Sequence, residues 1–280
     1  MKKKILVAVL ALLTIILTVT GCGKSNTSAN GSTAAQTLSK EKPVTLKVLA
    51  DQVPHSELLN FVKPKLAEQG VNLEITILQN DHGNEDTDNG EFDVNFFQHQ
   101  PYLDSVKKEK GYDLANAGNI HVEPIGLYSV KYKTKEEIPD KAVIGIPNDV
   151  TNEYRALKIL EANGFIKLKS DLAEHAATIK DIAEYTKKIE LKEIDSAQLI
   201  RLKNDFDGYI TNTNKILEAG IDPNTALFRE GKDSPYANIL VTKSGRVNDP
   251  AIVALKNALT TEEVRKFIEE KYKGAVIPAF

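Results

Sequence analysis

The chain has 280 residues, of which 41% are hydrophobic, 27% charged and 6% aromatic, with a formal net charge of -3. This composition excludes wholesale disorder and collagen-like repeats, and the length can bury one large core or two smaller ones. A pI of about 6.0 gives no electrostatic case for nucleic acid, and one cysteine excludes an intramolecular disulfide framework or a multi-cysteine zinc site.

The first segment reads as an address. Lys2, Lys3 and Lys4 form a basic start, and residues 5–19 are almost wholly apolar but short for a membrane span. The stretch Val19-Thr20-Gly21-Cys22 resembles a bacterial lipobox. That resemblance implies a signal peptide over 1–21, cleaved just before Cys22, and lipid attached to the Cys22 sulfur, with palmitate among the anchoring acyl chains. Residues 22–42 are rich in Ser, Thr, Asn, Ala and Gly without apolar periodicity, and read as a flexible linker.

The body then alternates strands and helices. Residues 45–50 and 72–78 alternate with period two and read as strands. Between them, 56–69 is a helix with Leu58, Leu59, Val62 and Leu66 on one stripe, a kink expected at Pro64 and a stop at Gly70. The acidic run 81–90 reads as loop plus a short helix, 93–96 as a short strand, and 101–110 as a helix ending at Gly111. Residues 122–132 read as extended, crossing between two halves. Further strands are expected at 142–146, 189–192, 208–211 and 238–242, and helices at 152–163, 196–203 and 213–219. Thr260 and Glu263 have capping-box spacing before a last helix. The alternation implies an α/β fold with largely parallel sheets, and two sheets with a late return would give two lobes around a cleft.

No phosphate-binding loop, zinc-protease motif or nucleophile elbow occurs, so an enzyme is not expected. The five histidines show no pair at metal-ligand spacing. His82, within an acidic loop, offers a divalent-cation reading, but the EF-hand template fails there and no metal site is expected. Phe97, His99 and Tyr102 crowd a strand-to-helix junction, where α/β folds bind ligands, although a core cluster fits them equally. Arg155, near a helix start after Pro147-Asn148-Asp149, has the chemistry to pair bidentately with a carboxylate, against the plainer reading of a surface arginine. Asn212, Asn214 and Asn238 lie at further junctions and have the groups to orient an amino acid, although asparagine is common in turns.

Together the residues resemble the NlpA-type family, the methionine-binding lipoproteins of bacterial ABC importers. The resemblance runs from about Leu46 to Phe280. It is carried by Pro54-His55, Asp93-Val94-Asn95-Phe96-Phe97-Gln98-His99, Pro101-Tyr102-Leu103 and His121-Val122-Glu123-Pro124. Ile146-Pro147-Asn148-Asp149, Thr151-Asn152-Glu153, Arg155-Ala156-Leu157, Asp233-Ser234-Pro235-Tyr236 and the closing Gly274-Ala275-Val276-Ile277-Pro278-Ala279-Phe280 continue it. It implies a periplasmic-binding-protein-like fold of type 2, with two α/β lobes and a ligand cleft between them. Lobe 1 would span 43–121 and 239–280, and lobe 2 would span 122–238.

The resemblance also implies a lipid-anchored, extracytoplasmic solute-binding protein without a cofactor. It would deliver an amino acid, methionine first, to an ABC permease and its ATPase subunit. Arg155 would grip the ligand carboxylate. Phe97, His99 and Tyr102 would line the side-chain pocket, and Asn214 and Asn238, with Asn212, would hold the polar end. Asn80 stands where the family commonly has tyrosine, and bulky Tyr154 stands where glycine is common. These two departures mark specificity positions. They leave open another amino acid, a short methionine-containing peptide or, from another class, a divalent-metal-binding lipoprotein.

Overall fold

The period-two pattern after residue 44 becomes a strand buried on both faces towards its end, which places it inside a sheet. The structure, a computed structural model, describes residues 38–79, 82–173, 175–231 and 234–280. Cys22 and the leader, as well as Asn80, lie outside the described residues. The described residues all belong to one compact unit, Gln36–Phe280.

The larger sheet has six strands: β1 (Val44–Ala50), β2 (Val71–Ile77), β3 (Val94–His99), β4 (Leu114–Val122), β12 (Ala237–Lys243) and β13 (Ile277–Pro278). Their order is β13-β4-β12-β3-β1-β2. The smaller sheet has five strands, β5 (Gly126–Tyr128), β6 (Val143–Pro147), β9 (Glu190–Ile194), β10 (Gly208–Thr211) and β11 (Phe228–Arg229), in the order β11-β5-β10-β6-β9. A two-stranded ribbon, β7 (Lys167–Leu168) with β8 (Ile182–Glu184), completes the set. The expectation of largely parallel sheets needs correction. β1 pairs in parallel with β2 and β3, but β12 runs antiparallel to both β3 and β4. The late return of the chain as β12 enters between two earlier strands, so its direction does not follow the alternation rule.

Among the described residues eight α-helices flank the sheets: α1 (Glu57–Glu68), α2 (Gly83–Asp88), α3 (Gln100–Lys110), α4 (Val150–Ala162), α5 (Ser196–Leu199), α6 (Thr213–Glu218), α7 (Pro250–Leu259) and α8 (Glu262–Tyr272). The stripe expected on α1 is buried, and α1 continues as one element through Pro64. Its continuation Gly70 adopts φ 81°, and an added Cβ there would lie 2.3 Å from the Ser39 carbonyl oxygen. The last helix is capped by Thr261, not Thr260; Thr261 accepts from the Val264 N–H, while Thr260 closes α7. α1, α7 and α8 share the larger sheet's core with Phe96, Ile120 and Leu240. α4 packs on the smaller sheet through Ala156, Leu157 and Leu160.

The chain passes between the sheets twice, once between β4 and β5 and once between β11 and β12. No helix among the described residues is long and apolar enough to cross a membrane.

Candidate ligand-binding site

A cavity of about 440 Å³ opens where strand ends of both sheets converge. Residues of the larger sheet's elements (Asp51, Leu78, Phe97, Gln98, His99, Tyr102, Asn238) face residues from the smaller sheet's side (Asn148, Asp149, Asn152, Asn212, Asn214, Lys215). Glu123, on a crossing segment, forms part of the wall. Six of the seven residues expected at the ligand therefore line one cavity: Phe97, His99, Tyr102, Asn212, Asn214 and Asn238.

Phe97 and His99 project from β3, and Tyr102 follows on the first turn of α3. His99 caps that helix: its Nδ1 accepts the Tyr102 N–H at 3.2 Å. Nδ1 is thereby an acceptor, so the ring proton sits on Nε2, which donates to Asn152 Oδ1 at 3.3 Å. Burial, reinforced by the nearby Arg155 guanidinium, pushes the His99 imidazole down to about 3. His99 is therefore a neutral, fixed wall.

β3 carries polar side chains on its buried side as well. Asn95 Nδ2 donates to Thr87 Oγ1 at 2.9 Å and to Asn84 Oδ1 at 3.2 Å, and Gln98 Nε2 donates to Asn95 Oδ1 at 2.8 Å. This network ties α2 to β3 and holds Gln98 at the cavity wall. Gly83 opens α2; a Cβ there would stand 2.7 Å from a Phe97 ring carbon and 3.2 Å from Leu78. The bare backbone at Gly83 lets both side chains lie back from the cavity.

Arg155 is placed differently from the expectation. Its side chain is only 1% exposed and does not line the cavity directly. Nε and Nη2 donate to Glu230 Oε1 and Oε2 at 2.9 and 2.6 Å, Nη2 also donates to the Glu123 carbonyl at 3.0 Å, and Nη1 donates to Asn152 Oδ1 at 3.1 Å. The guanidinium lies 4.3 Å over the Tyr236 ring. A guanidinium has five N–H groups, and the one not taken by these acceptors is on Nη1, beside the wall residue Asn152.

Tyr154 also does not line the cavity. It packs edge-on against His175, which in turn meets Tyr236 through a 2.9 Å Nδ1···OH contact. Tyr154 is thus not among the residues lining the cavity, and it reaches the wall residue His99 through His175 and Tyr236. Gln79, next to Asn80, does line the cavity. His82 is exposed and pairs with Glu85 at 3.3 Å. That contact gives no support to a metal centre in the acidic loop.

Sequence reasoning missed Asp51, Glu123, Asn152 and Lys215. Asp51 Oδ2 accepts from Asn214 Nδ2 at 2.7 Å and pairs with Lys215 at 3.5 Å. Glu123 Oε2 accepts the Asn214 N–H at 3.0 Å, and Oε1 accepts from His121 Nε2 at 2.7 Å. Of these two buried cavity carboxylates, Asp51 has a cation beside it, whereas the direct partners of Glu123 among the described residues are a backbone amide and histidines. Burial pushes the Glu123 carboxyl up. The usable signal was the spacing His121-Val122-Glu123, which puts both polar groups on one side of a strand end.

Comparison with known proteins places the chain. Residues 46–280 match the family model described as NlpA lipoprotein. The chain belongs to the NlpA lipoprotein family. It is 34% identical over 284 residues to the methionine-binding lipoprotein MetQ of Bacillus subtilis, covering 99% of each chain. It is 38% identical to membrane lipoprotein TpN32 of Treponema pallidum over 243 residues, 86% of this chain and 90% of the relative. Among solved structures it is similar to a nutrient binding protein from Burkholderia cenocepacia bound to methionine. The TM-score is 0.81 at 38% identity, covering 84% of this chain and 100% of the other. The fold is thus that of the substrate-binding lipoproteins, two α/β lobes with the cavity between them.

Proposed function

We propose that this NlpA-family member is a lipid-anchored, extracytoplasmic solute-binding protein. It captures an amino acid, methionine first, and delivers it to an ABC permease and its ATPase subunit. The lobes are 43–121 with 239–280, and 122–238; the anchor is Cys22. One observation carries the reading: the cavity is chemically two-ended with an apolar wall. Glu123 presents a carboxylate whose direct partners carry no full charge, which suits an ammonium group. The Arg155 Nη1 N–H left over beside the wall residue Asn152 suits a carboxylate. Leu78, Phe97 and Tyr102 supply the surface for an unbranched apolar side chain.

In this reading Arg155 acts on the ligand carboxylate through its remaining Nη1 N–H while Glu230 fixes its plane. Asn214 and Asn238 hold the ammonium end together with Glu123, and Asn212 braces Asn152. Lobe closure excludes water, and a ligand drives closure by the amount it binds the closed form better than the open one. Nothing in this cycle breaks or makes a covalent bond. The test is calorimetric titration with each amino acid and with methionyl dipeptides. Methionine binding one-to-one, and most tightly, is expected. Binding confined to another amino acid or a dipeptide would move the specificity, and binding of none would overturn the reading.

A further inference from the structure

The Glu123 carboxylate sits between two buried histidines. His121 Nε2 is 2.7 Å from Oε1, and His55 Nε2 is 3.4 Å from the same oxygen and 3.1 Å from Asn238 Oδ1. Both rings are fully buried, and Phe96 packs edge-on against them at centroid distances of 4.6 and 5.4 Å. The three residues come from the turn after β1 and from the end of β4, so they meet only in the folded protein.

The protonation state follows from what surrounds the other ring nitrogen. Nδ1 of His55 and Nδ1 of His121 are buried without a hydrogen-bond partner among the described residues. An imidazolium would bury an orphaned Nδ1–H on each ring, and the Nδ1–H tautomer would additionally turn a lone pair towards the carboxylate. The Nε2–H neutral form alone leaves no orphaned donor. The same fact argues against a metal ion among His55, His121 and Glu123, although their ligand atoms lie within 4.8 Å of one another. An imidazole that binds metal through Nε2 carries its proton on Nδ1 and needs an acceptor there. Burial also pushes both imidazoles down, His121 to about 3.

We propose that His55 and His121 form a hydrogen-bond clamp that aims the Glu123 carboxylate into the cavity, making them positioning residues for the ligand's ammonium group. The proposal rests on the amino-acid reading given above. His121 supplies the close donor to Oε1. His55 divides its Nε2–H between Oε1 and Asn238 Oδ1, which fixes the Asn238 carboxamide and leaves that oxygen a second lone pair for the ammonium. The Asn214 backbone N–H holds Oε2, so the carboxylate is fixed at both oxygens by donors that bring no compensating cation.

The test compares the full chain's affinity for L-methionine with that for 4-(methylthio)butanoate, which lacks the amino group. In the unmodified protein the amino group should be worth about thirtyfold or more, as for a buried hydrogen-bonded charge pair. His121→Leu should reduce that preference to about threefold or less, while His121→Gln, which keeps a donor, retains most of it. A merely structural role predicts equal loss for both ligands, and that outcome overturns the clamp. If the unmodified protein binds neither molecule, the amino-acid reading fails instead. Should the leucine variant not fold, nitrogen-15 NMR of the unmodified protein's histidines decides. Neutral Nε2–H tautomers at both sites support the clamp; an Nδ1–H tautomer, an imidazolium or stoichiometric zinc held at these rings overturns it.

Discussion

Arg155 and Glu230 form a two-pronged ion pair, Nε to Oε1 at 2.9 Å and Nη2 to Oε2 at 2.6 Å, at the place where the chain returns from one sheet to the other. The same guanidinium bonds the Glu123 carbonyl on the outgoing segment. One side chain from α4 thus ties both crossing segments and stands behind the cavity wall. The two crossing segments and the proposed seat for the ligand carboxylate share a charge.

Removing one partner of such a pair leaves the other buried and uncompensated. Glu230→Gln should destabilise the ligand-free protein by about 3 kcal/mol. A ligand carboxylate then replaces the lost anion, so methionine should raise the melting temperature more in this variant than in the unmodified protein. Arg155→Lys should weaken methionine binding, because an ammonium cannot hold the Glu230 fork and still offer a fixed N–H to the ligand. Thermal melts with and without methionine measure both effects; an unchanged ligand shift in Glu230→Gln would show that Arg155 does not act on the carboxylate.

Gly83 gives a prediction about selectivity. A methyl group there would meet the Phe97 ring at 2.7 Å and force it towards the cavity. Gly83→Ala should weaken methionine binding about tenfold, the range of a modest overpacking penalty. Alanine, too short to reach Phe97, should bind as before. Competition titrations with the two amino acids measure the ratio, and equal weakening would mean that Phe97 relaxes elsewhere.

The buried amide network on β3 should matter to stability. Asn95→Leu leaves Gln98 and Asn84 short of partners and should cost about 3 kcal/mol. Urea unfolding should show a lower midpoint with an unchanged slope. A midpoint equal to that of the unmodified protein would mean the network adds nothing.

Glu153 supplies a pH signature. Its side chain is buried on α4, accepts the Ile179 N–H at 2.7 Å, and is pushed up to about 7, chiefly by burial. Between the ordinary carboxylate range and pH 7 the folded chain holds a proton that the unfolded chain releases. Stability from this group therefore falls as pH rises through that window and levels off above it. Glu153→Gln keeps the acceptor and removes the titration. Its melting temperature relative to the unmodified protein should rise from pH 5 to pH 8. A constant difference would contradict the shift.

Much of this was legible from local pattern. The strands near 45–50, 142–146, 208–211 and 238–242 and the helices α1, α3 and α4 have clean periodicity and stop signals, and they fold as read. β4 did not show itself because Ala115, Asn116 and Gly118 break the alternation, and its place between β12 and β13 is fixed by partners far along the chain. α7 was hidden because Ala251–Leu255 is a continuous apolar run, which a buried strand fits as well as a helix. In the site, Phe97, His99 and Tyr102 were legible because one strand-to-helix junction holds all three. Glu123 was not, since the groups that define it come from β4, α6 and the turn after β1. The burial of Arg155 depends on Glu230, 75 residues away, which no local motif announces.

The most direct measurement is mass spectrometry of small molecules released by denaturing the protein after purification without added ligand. Methionine recovered in near-stoichiometric amount is the expected result, with the cavity between the two lobes holding it. A different class of molecule, such as a sugar or a metal chelate without an amino-acid ammonium and carboxylate, recovered stoichiometrically would contradict the two-ended reading of the cavity.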